Sequence, residues 1–384
     1  MKKITVTEKL SKLPLKNRDS AIDIVKGMGI FFMVGGHCGA FFTNFIYLFH
    51  MAIFFIASGY LYKEKYTENF SNLKLFIKKK IKSLYFPYVL WMLIYSVLHN
   101  SFIRINIYTD NPEITKYISG TYIGTTSAYT TQELLIKIVQ NFFLFGNEQL
   151  AGAFWFISAL FKLSVMYAVF DFILCRFLQT KNRDIIQLIL SVLFLGLGYY
   201  CQLSNRTFLQ FDISLSCYIL FYLGHILNKK KEIVQFDSKV VNLIICTASF
   251  AILMILQNFG SISLNKNFYS NPLYLIVVSI AGWEFLYSLS FFIKKTKILK
   301  NLLMLCSQNS MAIVILHFLA FKIINLLQVF MKHQPLFLIA AFPTLYTYSF
   351  WWITYLFTGL FIPVLLNIIY KKIKLFFTQR LCLK

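Results

Sequence analysis

The sequence predicts an all-α integral membrane protein with about ten transmembrane helices and both termini on the cytoplasmic side. Composition, the recurrence of long apolar runs and the distribution of basic residues lead to that expectation. Of 384 residues, 58% are hydrophobic, 18% aromatic and only 14% charged, too few polar side chains to cover soluble domains of that total size. Apolar stretches of about 20 residues, the length that spans a bilayer as a helix, recur between short Lys clusters.

Taken in order, the apolar runs place helices at 22–42, 44–62, 83–103, 151–175, 185–202, 212–228, 239–257, 272–293, 309–330 and 341–370, each bounded by a basic cluster or a Pro, Asn or Gly loop. An even number returns both ends to one side. The segments then placed inside (1–21, 63–82, 176–184, 229–239, 294–300 and 371–384) hold 29 of the 38 Lys and Arg residues. Six fall outside: Arg104, Lys116, Lys137, Arg206, Lys266 and Lys332. That bias is what the positive-inside rule demands of this threading, and a shift of one helix would reverse it downstream. The formal charge of +23 therefore reads as a topology signal and implies no nucleic-acid partner. The expected organisation is a basic cytoplasmic segment 1–21, a polytopic domain 22–370 and a basic cytoplasmic tail 371–384, all in a multi-pass protein of the plasma membrane.

Segment 104–150 is the only long stretch expected outside, and it contains an amphipathic helix candidate at Glu133–Phe145. The first 21 residues are basic and polar, without the apolar h-region of a signal peptide, so no cleavage is expected. Seven cysteines are scattered without a CxxC or a Cys/His spacing, so neither a disulfide framework nor a metal site is expected.

Ionisable side chains inside spans are costly, about 3 kcal/mol on insertion scales, and become functional candidates. They are Asp23, Lys26 and His37 in the first helix, His50 in the second, Lys162 and Asp171 in the fourth, His225 in the sixth, Glu284 in the eighth, and His317 and Lys322 in the ninth. Lys26 and His37 are eleven residues apart. At 100° per residue this is three turns plus about 20°, so both project from nearly one face, roughly 16 Å apart along the axis. His50, on the returning helix after a short connection, is expected at a similar depth to His37 and close enough to share a site. The small residues Gly35, Gly36 and Gly39 around His37, and Ser58-Gly59 on the second helix, allow a ligand or another helix to approach the backbone.

Structural readings stand beside these. Asp23 and Lys26 also suit an interfacial ion pair with Lys26 snorkelling. A membrane histidine is more often an interhelical hydrogen-bonding residue than a catalyst, the reading preferred for His225. Lys162 and Lys322 have no evident partner in the sequence. Glu284, mid-helix, must pair, be protonated or line a cavity.

The stretch Arg18-Asp19-(x3)-Asp23-(x2)-Lys26-Gly27, with ten residues between Lys26 and His37, then Phe49-His50-Met51-(x2)-Phe54-Phe55-(x2)-Ser58-Gly59-Tyr60, resembles the N-terminal signature of the acyltransferase 3 family of membrane acyltransferases. That family's hallmark is a basic residue, usually Arg, then ten residues, then His. Lys26 keeps the charge and loses the bidentate fork of Arg. Phe86-Pro87-Tyr88 with Trp91, Phe154-Trp155-Phe156-Ile157-Ser158-Ala159-Leu160-Phe161 and Asn309-Ser310 followed by His317 extend the resemblance along nearly the whole chain. The Trp155 segment is similar to that of a branch containing fucose 4-O-acetylase-like and capsule or exopolysaccharide O-acetyltransferases.

The resemblance implies transfer of an acyl group, typically acetyl, from cytoplasmic acyl-CoA, a co-substrate rather than a bound cofactor, to a sugar hydroxyl of a cell-surface or lipid-linked glycan. It makes His37 the general base, with His50 orienting it or acting as a second acid or base. It makes Lys26 and Arg18 the contacts for acyl-CoA, and Asp23, Ser58, Trp155, Glu284 and His317 candidates for substrate or structural polar contacts. Expected partners are acyl-CoA, the glycan acceptor, the lipid bilayer and the machinery of glycan synthesis. Ten helices with mid-membrane His and Glu also describe a transporter or flippase of glycan intermediates, although the halves show no corresponding Gly/Pro-interrupted helices. A catalytically silent scaffold is the third class, disfavoured by the presence of both Lys26 and His37.

Overall fold

The computed structural model describes residues 19–39, 42–118, 126–207 and 211–381. Among the described residues ten helical passages run between two ends of one bundle: α1 Ser20–His37, α2 Ala52–Tyr60, α3 Phe86–Arg104, α4 Phe154–Phe177, α5 Thr180–Leu203, α6 Tyr218–Lys229, α7 Lys239–Leu256, α8 Pro272–Ile293, α9 Ser310–Met331 and α10 Trp351–Leu381. The only described strands are the two-residue pair Ile262–Ser263 and Phe268–Tyr269, an antiparallel hairpin. Eight of the passages lie in helical stretches long and apolar enough to cross a membrane. The exceptions are α1 and α6. Polar residues and glycines dilute α1, and α6 is interrupted at Cys217, which separates it from Asp212–Ser216.

Why α1 tolerates Asp23, Lys26 and His37 follows from where it packs. Thirteen of its 18 residues are buried against other helices, so its polar groups meet protein rather than lipid, where their cost is lowest. By contrast α5 and α7 turn rows of apolar side chains outward, among them Leu188, Val192, Val240 and Ile244, as helices at a lipid boundary must. The expected close approach at Ser58-Gly59 is made by α6. A Cβ at Gly59 would land on the carbonyl of Phe221, and one at Gly224 on the carbonyl of Ile56. Two glycines thus let the α2 and α6 backbones touch.

Several boundaries differ from the sequence expectation. The first helix ends at His37 instead of residue 42, and the next begins as a short turn, Thr43–Tyr47, before α2 proper. The lysine-rich stretch expected as a loop is helical over Phe70–Lys80 and runs through a π turn at Ile81–Tyr85 into α3. The last passage starts at Trp351 rather than 341 and continues through Leu381, so the described part of the expected tail is a helical extension. The amphipathic helix lies at Thr131–Phe142, started by a capping box of Thr130 and Glu133. A further short helix, Lys297–Gln308, packs on α1 with the Leu303 backbone against Gly27.

The alternation expected from charge is present in the connectivity. Glu64, Arg183 and Lys229, from three segments expected inside, meet in one ion cluster. At the same end Ser307 donates to Asp23, Asn228 to the carbonyl of Tyr60, and Lys371 to Asn309. At the opposite end Gly39 lies beside Thr347, and Gln202 on α5 brackets Tyr269 of the hairpin with two hydrogen bonds.

Candidate active site

Three histidines converge where α1 ends: His37 on α1, His50 in the turn just before α2, and His317 on α9. His37 is the last residue of α1, and Gly39, in the left-handed region at φ +69°, turns the chain away just after it. His50 is 4% exposed and its Nδ1 lies 2.9 Å from the carbonyl oxygen of Ile46. His317 on α9 is fully buried, with Nδ1 2.8 Å from the carbonyl oxygen of Ile313. A carbonyl only accepts, so both Nδ1 atoms carry the proton, and in the neutral rings both Nε2 atoms are left as free acceptors. The Nε2 of His317 has no partner among the described residues. An unsatisfied buried acceptor costs about 1–3 kcal/mol, so it demands a reason.

The His317 ring stacks on His37, with centroids 5.4 Å apart and an interplanar angle of 25°, and Phe318 closes the other contact at 4.9 Å. The His37 side chain makes no hydrogen bond to a described residue and stays partly exposed. It faces a cavity of about 50 Å³ shared with His50, Tyr47, Gly152, Trp155 and Asn265. The expected juxtaposition of His37 and His50 is therefore found, with His317 as the nearer ring neighbour. Gly152, Trp155 and Asn265 also line a polar cleft of about 320 Å³ that includes Tyr88, Asn147 and Ser158. Gly152, Trp155 and Asn265 form the wall common to the two spaces.

The other expected site residues are not gathered here. Lys26 is half-buried near the far end of α1, within electrostatic reach of Lys80. Asp23, also at that end, accepts from Ser307 at 3.4 Å. Ser58 is in the last turns of α2, half-buried, next to the Gly59 that meets α6. Glu284 lines a small space of about 10 Å³ with Tyr60, Gln235, Trp283 and Tyr287, remote from His37. Arg18 lies outside the described residues. No group of three or more His, Cys, Asp or Glu among the described residues is placed to hold a metal ion.

Structural partners now account for most of the remaining buried charges. Asp171 accepts from Tyr62 at 2.8 Å and Thr67 at 2.7 Å, with Arg183 at 3.4 Å. Arg183 also reaches Glu64 at 2.6 Å, and Lys229 joins Glu64 to Asp184, each at 2.7 Å. Burial alone would raise the Glu64 pKa, but the Lys229 and Arg183 cations outweigh it and hold the carboxyl below its ordinary range. His225 hydrogen-bonds Tyr167 at 2.8 Å, the packing role expected of it. Lys322 donates to the carbonyls of Ala340 and Ala341 at 2.8 and 2.9 Å. Lys162 stands over the rings of Phe145 and Phe211 at 5.4 and 5.1 Å, within electrostatic reach of Asp212.

One buried pair was missed by the sequence reading. His99 Nδ1 is 2.9 Å from Glu148 Oε2, both nearly inaccessible, and Tyr129 adds a hydrogen bond to Glu148 at 3.1 Å. His99 falls inside the predicted third span, so the same cost criterion would have found it. The pair ties α3 to the turn Gln149–Ala151, which leads into Gly152 at the wall of both cavities.

A family model described as an acyltransferase domain matches residues 19–368. No curated protein and no solved structure matches the chain.

Proposed function

The chain belongs to the acyltransferase 3 family of membrane acyltransferases, and on that premise we propose that it moves an acyl group, typically acetyl, from cytoplasmic acyl-CoA to a sugar hydroxyl of a cell-surface or lipid-linked glycan. The observation that carries this reading is the position of His37. It sits at the end of α1, stacked on His317 and facing His50, in a cavity that shares its wall with a polar cleft of about 320 Å³, within the range of small-molecule sites.

In the proposed reaction the acceptor hydroxyl enters from the cleft past Trp155 and gives its proton to His37 as its oxygen attacks the thioester carbonyl. The carbon–sulfur bond then breaks, and the departing CoA thiolate takes the proton back from the imidazolium. His50 and His317, with Nδ1 committed to backbone carbonyls, keep fixed ring orientations beside it. Lys26, roughly 16 Å away along the axis by helical rise, takes no part in bond making. It supplies positive charge, with Lys80, for the phosphates of CoA at the lysine-rich end. A variant of the route has the imidazole of His37 attack the thioester first and pass the acyl group on as acyl-His37. The family match favours enzyme chemistry over a glycan carrier.

Membranes containing the protein, given acetyl-CoA labelled in its acetyl group, are expected to place label on glycan in a hydroxylamine-sensitive ester. His37→Ala is expected to remove that label at unchanged protein level. A mutant that still labels glycan would reject His37 as the base, and a wild type that leaves acetyl-CoA untouched would return the carrier reading.

A further inference from the structure

Three cavities follow one another away from His37. The first, of about 50 Å³, shares Gly152, Trp155 and Asn265 with the second, of about 320 Å³. The second shares Thr207, Asp212 and Lys266 with a third, of about 750 Å³, that spreads between the end of α5 and the 262–269 hairpin. Presenting one hydroxyl to His37 needs only the first two. The third is more than twice the volume of the second, and its walls carry Gln202, Asn205, Arg206, Ser263, Lys266 and Asn267.

Its charge is as telling as its size. Topology keeps Lys and Arg away from this end of the protein, and only six are expected there. Three of those are engaged locally: Lys116 with Glu113, Lys137 over the Tyr129 ring, and Lys332 with Tyr346 and Tyr348. Arg206 and Lys266 are exposed, line the same cavity, and make no side-chain hydrogen bond or ion pair with a described residue. The one acid on that wall, Asp212, is 7% exposed and has Lys162 within electrostatic reach, so it does not neutralise both surface cations.

We propose that the third cavity is an anion subsite and that the acceptor is an acidic glycan, whose carboxylate or phosphate is held by Arg206 and Lys266 while a hydroxyl on a neighbouring sugar reaches His37. This rests on the acyl-transfer reading and adds the substrate class to it. The anionic group has two sources of one chemistry, an acid within the sugar chain or the phosphate of a lipid carrier. Arg206 offers a planar fork for either, and Lys266 a point charge.

The test uses whole membranes and labelled acetyl-CoA, with the labelled glycan run on an anion exchanger before and after mild acid, which releases sugars from a lipid phosphate. Retained label is expected. Retention that survives the acid puts the charge in the sugar chain, and retention lost with the acid puts it on the carrier; either supports the anion subsite. In Arg206→Gln/Lys266→Gln the apparent KM for glycan extracted from the same cells is expected to rise about tenfold or more with kcat within twofold. The paired swap Arg206→Lys/Lys266→Arg is expected to restore it. Neutral labelled glycan, or a wild-type KM in the double variant, would overturn the anion subsite and leave acyl transfer standing. A wild type that labels no glycan would reject the reading beneath it.

Discussion

Two polar clusters of the bundle, one toward each end, are held in different ways. At the Lys26 end, Asp171, Arg183, Glu64, Lys229 and Asp184 form a cluster that joins α4, α5 and α6 to the loop after α2. Around His37, two imidazoles, His37 and His50, line a cavity, the His317 ring stacks on His37 with an Nε2 that has no hydrogen-bond partner among the described residues, and the His37 side chain makes no hydrogen bond to a described residue. Pairing lowers the cost of burial and makes a group structural, while a buried group left unsatisfied persists where something else uses it. Charge in a span therefore marks both clusters alike, and ion pairing tells them apart: Asp171 Oδ1 and Arg183 Nε and Nη2 make no hydrogen bond either, but each lies against an opposite charge, which, among the described residues, the imidazoles around His37 do not.

That contrast can be broken from either side. His37→Gln is expected to lower transfer by about 10³-fold, within the usual span of general-base contributions, with the thermal midpoint of the detergent-solubilised protein barely moved. Arg183→Met should do the reverse. It leaves Asp171 with only its Tyr62 and Thr67 donors and Glu64 with Lys229, a loss of about 3 kcal/mol, the low end for a broken buried pair because Glu64 is a third exposed. Activity per folded molecule should stay within twofold, and a variant that melts normally would show the cluster to be idle.

Replacing His317 by Asn removes the ring stacked on His37, and transfer is expected to fall about 10–100-fold, equivalent to 1–3 kcal/mol, with unchanged acyl-CoA affinity. Equal loss of affinity would place His317 in donor binding instead. Smallest is Lys26. Lys26→Glu should weaken acyl-CoA binding about tenfold in titration, and Lys26→Arg should leave it at or above the wild-type level.

Much of the fold was legible because its rules are local. Span length and the inside bias of Lys and Arg placed ten passages near the ten observed. What failed was also local in cause. The Lys-rich 63–82 stretch carries too much charge to show a span-length signal, yet Asn69 caps a helix there that continues into α3, and Lys297–Gln308, an amphipathic helix lying beside α1, has no span-length signal either. In the site, the eleven-residue spacing put Lys26 and His37 on one face, and the short α1–α2 connection foretold the shared His37–His50 cavity. The stacking of His317 on His37 was not legible, since it depends on α9 returning beside α1 about 280 residues later. The same holds for Asp171, whose cation sits beyond the next turn at Arg183.

The central claim is that donor and acceptor reach His37 from opposite ends of α1. A cysteine scan along the Lys26–His37 face, in a background without other cysteines, tests it directly through protection from maleimide by acetyl-CoA. Protection is expected to start at the Lys26 end and to extend toward His37, leaving positions beside Trp155 and Asn265 reactive until glycan is added. Protection by acetyl-CoA confined to the His37 end, or none along the helix, would contradict the account.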